Sequence, residues 1–581
     1  MDTANQAVED RFQAPGAPDD PPPNIARHLS VMAQRQPHQA AIVAPEGRGA
    51  TGKVRYSHFT YRQLDQNSDA IAAGLIDEGV APGTRAAVMV RPGLDFFALV
   101  FALFKAGVVP VLIDPGMGLK SLGQCLDEAE PELFIGVVPA LAARRVLRWG
   151  KRTVRRVVSV GRGGRLVAPG AASLDAIRAR GRRAIAEGRV PAPVFRSVGD
   201  GETAAILFTS GSTGPPKGAV YTHAIFEAQV DCFRSLYDIK PGEIDLCTFP
   251  LFALFAPALG MTSIVPWMDP TRPAKVDPEK LFEAIDDFGP TNLFGSPALL
   301  RRVGPAGVAG GLKIPTLRRV VTAGAPASPR ALETFSRLLE PPAQVFTPYG
   351  ATESLPVASI GSDEILGETG RRTDLGEGVC VGLPRGAIDV KIIRISDEPI
   401  PTWNDDLELP RGEIGEIIVS GPVVTRSYFG RPEATALAKI NDPARGRFFH
   451  RMGDLGYLDD RGRIWFCGRK AHRVVLPDET LFTICCEGIF NAHPEVARTA
   501  LVGVESPEGV VVPVLCVEPA RWPGRRDRRR LRDELLKRGA EFERTRRIRT
   551  ILFHRSFPVD IRHNSKIFRE KLAVWAARKR P

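Results

Sequence analysis

Apolar residues recur along this chain with two alternating periods. Across residues 61–79 they return every three or four positions, as on one face of a helix. Arg85-Ala-Ala-Val-Met-Val is then a short β-branched run, and residues 94–105 are helical again. This alternation continues over residues 25–466 and predicts α/β layers with largely parallel sheets. Near residues 447–468 the texture changes to short strands and turns, as in Tyr457-Leu-Asp-Asp-Arg-Gly-Arg-Ile-Trp-Phe, and a basic, helical segment follows. The expected organisation is a polar, Pro-rich arm (1–24), a large domain (25–467), a hinge (468–471) and a small C-terminal domain (472–581). No internal repeat is evident.

Two apolar stretches invite a membrane reading, and each carries its own refutation. Residues 96–113 are interrupted by Lys105, Gly107 and Pro110, which reads as a helix turning into a strand. Residues 246–266 are uncharged but contain Pro250, Pro257, Gly260 and Pro266, unsuited to a spanning helix. An apolar wall around a greasy ligand is the expected use. The N-terminus holds Asp2, Glu9 and Asp10 and no apolar signal core.

Composition changes this picture little. With 44% hydrophobic and 25% charged residues the 581-residue chain is globular, which excludes a disordered, collagen-like or coiled-coil protein. Eight scattered cysteines without a C-x-x-C pair argue against a disulfide framework or structural zinc and suit a reducing cytoplasm, the expected location. The formal charge of +12 is uneven, with Arg-rich runs at 144–156 and 525–538. No aromatic interleaving or nucleic-acid module accompanies them, so they are read as solvated helix faces and no nucleic-acid partner is expected.

One phosphate-loop candidate is a decoy. Gly47-Arg-Gly-Ala-Thr-Gly52-Lys53-Val54 lacks the hydroxyl that would hold magnesium, and strand rather than helix follows it, so a hairpin is expected. Leu207-Phe-Thr209-Ser210-Gly211-Ser212-Thr213-Gly214-Pro-Pro-Lys217-Gly218 is different. Hydroxyls, glycines and a lysine after an apolar strand can present backbone N–H groups and donors to a polyphosphate.

That loop resembles the phosphate-binding signature of the adenylate-forming enzymes, the superfamily of acyl-CoA synthetases, luciferases and peptide-synthetase adenylation domains. Further motifs follow in the family's order: Phe59-Thr-Tyr-Arg-Gln-Leu, Phe104-Lys-Ala-Gly-Val-Val-Pro-Val-Leu-Ile-Asp-Pro, Thr322-Ala-Gly324-Ala325-Pro326, Tyr349-Gly350-Ala-Thr352-Glu353, Gly453-Asp454, Gly468-Arg469 and Asn564-Ser-Lys566. The resemblance implies the adenylate-forming fold, a large domain of layered sheets flanked by helices plus a small mobile α+β domain. It implies ATP and Mg²⁺ as cofactors, with Thr209, Ser210, Gly211, Ser212, Thr213, Gly214 and Lys217 on phosphate. Gly324, Ala325, Pro326, Tyr349, Gly350, Asp454 and Arg469 would hold adenosine. Thr352, Glu353 and Lys566 would be catalytic, with Glu353 on the metal and Lys566 arriving from the small domain. Two anions must meet when a carboxylate attacks the α-phosphorus, which is why a cation and a lysine are needed there.

Departures narrow the second half-reaction. Pro250-Leu-Phe-Ala253-Leu-Phe255 puts alanine where many acyl-CoA synthetases have histidine, Ala471 stands at the hinge, and Val474-Val-Leu-Pro477-Asp-Glu-Thr replaces a Gly-rich loop. Leu112-Ile-Asp-Pro-Gly116-Met117-Gly118 and Pro558-Val-Asp560-Ile-Arg562-His563-Asn564-Ser-Lys566-Ile resemble the β-lactone synthetases of long-chain olefin biosynthesis. That likeness implies a 2-alkyl-3-hydroxyalkanoic acid, adenylated and then closed by its own 3-hydroxyl. It also implies pathway partners: a thiolase, a ketoreductase and a β-lactone decarboxylase, with peripheral membrane contact allowed. The alternative is a long-chain acyl-CoA or acyl-carrier-protein ligase. His223, Phe252 and Phe255 are the expected pocket residues. His223 and His563 are both candidates for the base, and for both a structural role is favoured.

Overall fold

The computed structural model describes residues 24–199, 201–209, 215–507, 509–559 and 567–579. The helix expected over residues 61–79 is present as Tyr61–Asp77, and its start has a cause. Thr60 caps Tyr61–Asp77 in a capping box: its hydroxyl accepts from Gln63 N at 3.2 Å, and Gln63 Oε1 accepts from Thr60 N at 2.9 Å. Helix Leu94–Lys105 buries every residue from Phe96 onward, so it is an interior helix, apolar all round. Its last residue is the exception. Lys105 Nζ, fully buried, lies 2.6 Å from Asp65 Oδ1 and 2.6 Å from Asp69 Oδ1.

Helix Leu174–Ala186 crosses Tyr61–Asp77 at two glycines. A Cβ on Gly181 would fall 1.8 Å from the Ala70 carbonyl oxygen, and one on Gly74 would fall 2.1 Å from that of Ile177. Backbones touch there because neither side chain exists. Gly181→Val is expected to force the helices apart and cost about 1–3 kcal/mol, read as a lower urea midpoint at unchanged slope.

Those helices cover a seven-stranded sheet in the order Ala172–Ser173, Arg156–Val160, Leu133–Val137, Arg85–Met89, Val109–Ile113, Thr203–Thr209, Lys217–Thr222. All neighbours are parallel except the last pair, a hairpin in which Thr209 faces Lys217. A fourteen-stranded sheet stands beside it. Its first half runs parallel through Ala40–Arg48, Thr262–Ile264, Ile244–Cys247, Asn292–Gly295, Arg319–Thr322 and Gln344–Ala351. Strand Val54–Thr60 pairs antiparallel with Ala40–Arg48, so the Gly47–Val54 segment is a hairpin loop as expected.

From Gln344 onward the sheet departs from the parallel expectation. Ser354–Gly361, Val379–Pro384, Ile464–Arg469, Arg447–Leu458, Gly415–Ser420 and Asp389–Ile393 all join antiparallel. The connections explain this: two residues join Gln344–Ala351 to Ser354–Gly361, and a parallel crossover needs a dozen or more. Residues 447–458 also form one twelve-residue strand rather than several short ones.

Beyond Arg469 no strand joins the large sheet among the described residues. Val474–Val475 pairs with Thr480–Leu481, and Val496–Glu505, Val511–Pro519 and Thr550–Phe553 make a separate sheet. Helices Thr483–Asn491, Arg525–Ala540 and Arg569–Ala577 pack on it around their own apolar clusters. Among the described residues no helix is long and apolar enough to cross a membrane.

The carboxyl ends of both parallel sheets face one cavity of about 1650 Å³. The residue immediately after each of six strands lines it: Val90, Asp114, Thr248, Val265, Ser296 and Ala323. Open α/β sheets bind ligands at that edge because the strand-to-helix loops converge there.

Candidate active site

Thr352 and Glu353 are the two residues at the tip of the Gln344–Gly361 hairpin, where Ala351 pairs with Ser354. Both line the cavity. The tip is held on three sides. Glu353 O accepts from Thr425 N at 2.9 Å and from Thr425 Oγ1 at 3.2 Å, while the Tyr221 hydroxyl donates to Thr352 O. Tyr428 donates to Glu353 Oε1 at 2.7 Å. Gly350 has no room for a side chain, since a Cβ would lie 2.5 Å from Ser354 O.

Lys217 opens the strand after the Ser/Gly loop, lines the same cavity, and places Nζ 5.0 Å from the centre of the Tyr428 ring. A lysine and a carboxylate thus meet around one phenol. Thr209 ends the preceding strand. Ser210, Gly211, Ser212, Thr213, Gly214, His563 and Lys566 lie outside the described residues. The antiparallel pair Val559–Ile567 brackets the segment that carries Lys566.

At the other end of this polar region Asp454 is 4% exposed, and burial pushes its carboxyl above the ordinary range. Tyr349 donates to its Oδ2 at 2.7 Å. Arg469 Nη1 lies 3.0 Å from Oδ1 yet donates to Met452 O at 3.1 Å, so Oδ1 has no aligned donor within the protein. A buried carboxylate oxygen without a donor suits a ligand hydroxyl such as those of a ribose. Gly324, Gly350, Gly453 and Arg469 line the cavity, whereas Ala325, Pro326, Tyr349 and Asp454 itself do not.

The apolar part is built by residues 247–266, as their composition suggests. Phe249 and Phe252 line it with Phe294, whose ring stacks on Phe252 at 4.1 Å. Two expected pocket residues are elsewhere. Phe255 packs behind Phe252, its ring centre 6.3 Å from that of Phe252 and 5.2 Å from that of Phe233, and does not line the cavity. His223 does not line the cavity: it begins helix His223–Tyr237 on the buried side, its Nδ1 accepts from Ile25 N at 3.3 Å, and its ring meets Phe104 edge-on. Burial lowers it to about 4, so it is neutral and ties down the start of the chain rather than taking a substrate proton.

Several cavity residues escaped the sequence reading. His450 lines the cavity and its Nδ1 donates to Ala438 O at 3.2 Å; burial holds the ring well below its ordinary pKa, hence neutral. Strand alternation could not have found it: the pairing slips between Leu455 and Arg451, and His450, Arg451, Met452 and Gly453 all line the cavity. Glu416, wholly buried, binds Arg451 at 2.6 Å and Lys470 at 3.2 Å. Tyr428, 75 positions from Glu353, had no local signal at all.

No group of three or more His, Cys, Asp or Glu side chains forms a metal cage among the described residues. One carboxylate is nevertheless enough for Mg²⁺ when phosphates and waters fill the rest of its shell. Glu353, which lines the cavity, fits that description.

Comparison with known proteins agrees with the geometry. Residues 29–429 match the family described as AMP-binding enzyme. Over 561 residues, 96% of this chain and 98% of the relative, the sequence is 48% identical to an olefin beta-lactone synthetase of Xanthomonas campestris pv. campestris. It is 49% identical over the same shares to the protein of that name from Stenotrophomonas maltophilia. A feruloyl-CoA synthase of Amycolatopsis is 28% identical over 84% of this chain and 87% of its own. Among solved structures, the amide bond synthetase McbA of Marinactinospora thermotolerans superposes with a TM-score of 0.74 at 22% identity, covering 96% of this chain and all of that one. ATP-bound MatB of Rhodopseudomonas palustris gives 0.73 at 20%, over 96% and 99%. The chain therefore belongs to the AMP-binding enzyme family, and within it is similar over nearly its whole length to the olefin β-lactone synthetases.

Proposed function

We propose that this protein is an ATP-dependent β-lactone synthetase acting on a long-chain 2-alkyl-3-hydroxyalkanoic acid. The observation that carries the reading is the single cavity lined by Glu353, Lys217, Gly453 and Arg469 and also by Phe249, Phe252 and Phe294. In the first step the substrate carboxylate attacks the α-phosphorus of ATP and diphosphate leaves. In the second, the 3-hydroxyl oxygen attacks the acyl carbon, loses its proton, and AMP departs as the four-membered ring closes. Mg²⁺, held by Glu353, would offset the repulsion between the meeting anions.

Asp454 and Arg469 orient the nucleoside, and Lys217 faces the phosphates. Lys566 enters from the small domain, with residues 468–471 as the hinge. An internal nucleophile has a high effective concentration once its rotamers are fixed, but only if water is kept from the adenylate. The Phe249–Phe252–Phe294 wall serves that exclusion. After the hinge, Val474–Val475 and Thr480–Leu481 form a tight hairpin with Pro477 near its tip, so no Gly-rich loop is present to admit a thiol acceptor. A thiolase, a ketoreductase and a β-lactone decarboxylase are the proposed neighbours in the reaction sequence.

The test combines the protein with ATP, Mg²⁺ and a racemic 2-alkyl-3-hydroxy acid in the absence of CoA, with NMR of the products. Lactone ring protons appearing with AMP support the reading. A thioester formed only after CoA is added would make the protein a ligase instead.

A further inference from the structure

Between Glu132 and Asp175 the chain carries nine Lys and Arg and no Asp or Glu, so this stretch alone supplies a formal +9 of the whole chain's +12. The proposed catalytic chemistry uses none of these cations. The segment forms helix Val138–Leu147, the strand Arg156–Val160 and the short helix Gly164–Val167. Arg145, Arg148, Lys151, Arg152, Arg155 and Arg162 are exposed, and none is paired with a carboxylate among the described residues.

Large apolar side chains stand among these cations, in the open. Leu166 is 86% exposed, Val146 78%, Leu119 63% and Leu147 44%. They share one face of the molecule. Arg145 Nη1 donates to Val167 O at 3.3 Å, and Val167 packs in a cluster with Leu122, Leu141 and Trp149. The Trp149 indole lies against helix Leu119–Ala129, where a Cβ on Gly123 would be 3.0 Å from its Nε1. A merely solvated helix face would present polar tips, not four aliphatic ones.

The cavity reaches this face: Leu119, Leu122, Ala140, Ala143 and Trp149 line it, and the exposed Leu119 belongs to both lining and surface. We propose that this apolar, basic face docks on an anionic lipid bilayer and that the cavity, where Leu119 lines it, receives the alkyl chains of the substrate from the lipid phase. Cations attract the phosphates of an anionic leaflet, and aliphatic tips between them enter the boundary of its acyl region. A nucleic acid would satisfy the arginines but leave the four apolar tips in water. The docking face stands on its own observations; the delivery of substrate rests on the function proposed above.

Full-length protein is floated with vesicles of phosphatidylcholine containing one quarter phosphatidylglycerol, and with phosphatidylcholine alone. Binding to the anionic vesicles only is expected. Arg145→Glu/Arg148→Glu/Arg152→Glu should weaken it roughly a hundredfold, and Val146→Ser/Leu166→Ser roughly tenfold. Charge reversal at Arg525, Arg526 and Arg529, in the other basic run, should leave it intact. Unaltered melting temperatures exclude misfolding of these surface variants. Absence of wild-type binding, patch variants that bind as wild type does, loss through the Arg525 run instead, or displacement by duplex DNA held through the same arginines would each overturn the proposal.

Turnover separates the two claims. The patch variants should form lactone normally from a short, water-soluble 3-hydroxy acid and slowly from a long-chain acid presented in vesicles. Equal rates on both would overturn substrate delivery. If wild type makes no lactone from the soluble acid while still binding vesicles, the function proposed above fails and the docking face remains.

Discussion

Glu353→Gln is expected to slow acyl-adenylate formation roughly a hundredfold to a thousandfold while leaving the melting temperature unchanged. The amide keeps the size of the side chain and an oxygen that can still accept from Tyr428, so the hairpin tip retains its shape. What disappears is the negative charge beside Tyr428 and, with it, the proposed site for Mg²⁺. ATP–diphosphate exchange measures the step directly. Tyr428→Phe is the companion, since it removes only the phenol that donates to Glu353 at 2.7 Å, and should cost about tenfold or less. A Glu353→Gln protein exchanging at the wild-type rate would remove Glu353 from the catalytic group.

Lys105→Met is expected to destabilise the protein by about 3–5 kcal/mol, because Asp65 and Asp69 would then share a buried site with no cation. Burial already raises the Asp69 carboxyl above its ordinary range, and Lys105 is the group that opposes this. Without the lysine the folded-state pKa rises further, so the folded chain holds a proton that the unfolded chain releases. The loss of stability is therefore largest at neutral pH and shrinks as pH falls towards the ordinary carboxylate range. Urea unfolding at pH 7.5 and pH 5 reads this difference. Lys105→Met/Asp65→Asn/Asp69→Asn, which carries no charge at the site, should recover most of the loss. A single variant as stable as wild type would show that the three groups do not depend on one another.

Much of the first half of the chain was readable because its signals are local. Helix Tyr61–Asp77 announces itself through a 3.6-residue period and a capping box within four residues of its start. The decoy loop at Gly47 was recognisable because strand residues follow it where a phosphate loop needs a helix. The antiparallel half of the large sheet was not readable, since which strand pairs with which depends on contacts far apart in sequence: Gly415–Ser420 lies beside Arg447–Leu458, and Val379–Pro384 beside Ile464–Arg469. Candidate site residues divide along the same line. Glu353, Lys217 and Asp454 each sit in a recognisable motif, but the bond from Tyr428 that fixes Glu353 spans two motifs and belongs to neither. His223 and Phe255 were misplaced because a motif gives position along the chain and not the face of a helix. Half a turn of rotation separates a chamber wall from the packing behind it.

The two-residue turn at Thr352–Glu353 also constrains how this protein can change over evolutionary time. Its strand Gln344–Ala351 has a parallel neighbour on one side, Arg319–Thr322, and an antiparallel one on the other, Ser354–Gly361. One inserted residue at the tip would shift the register of the returning strand and exchange its two faces, turning cavity residues toward the core and core residues toward the cavity. Length at this turn is therefore as closely bound to catalysis as residue identity. Insertions and deletions should be absent here across descendants of this gene, while the exposed turn at Arg411 and Gly412 is free to lengthen.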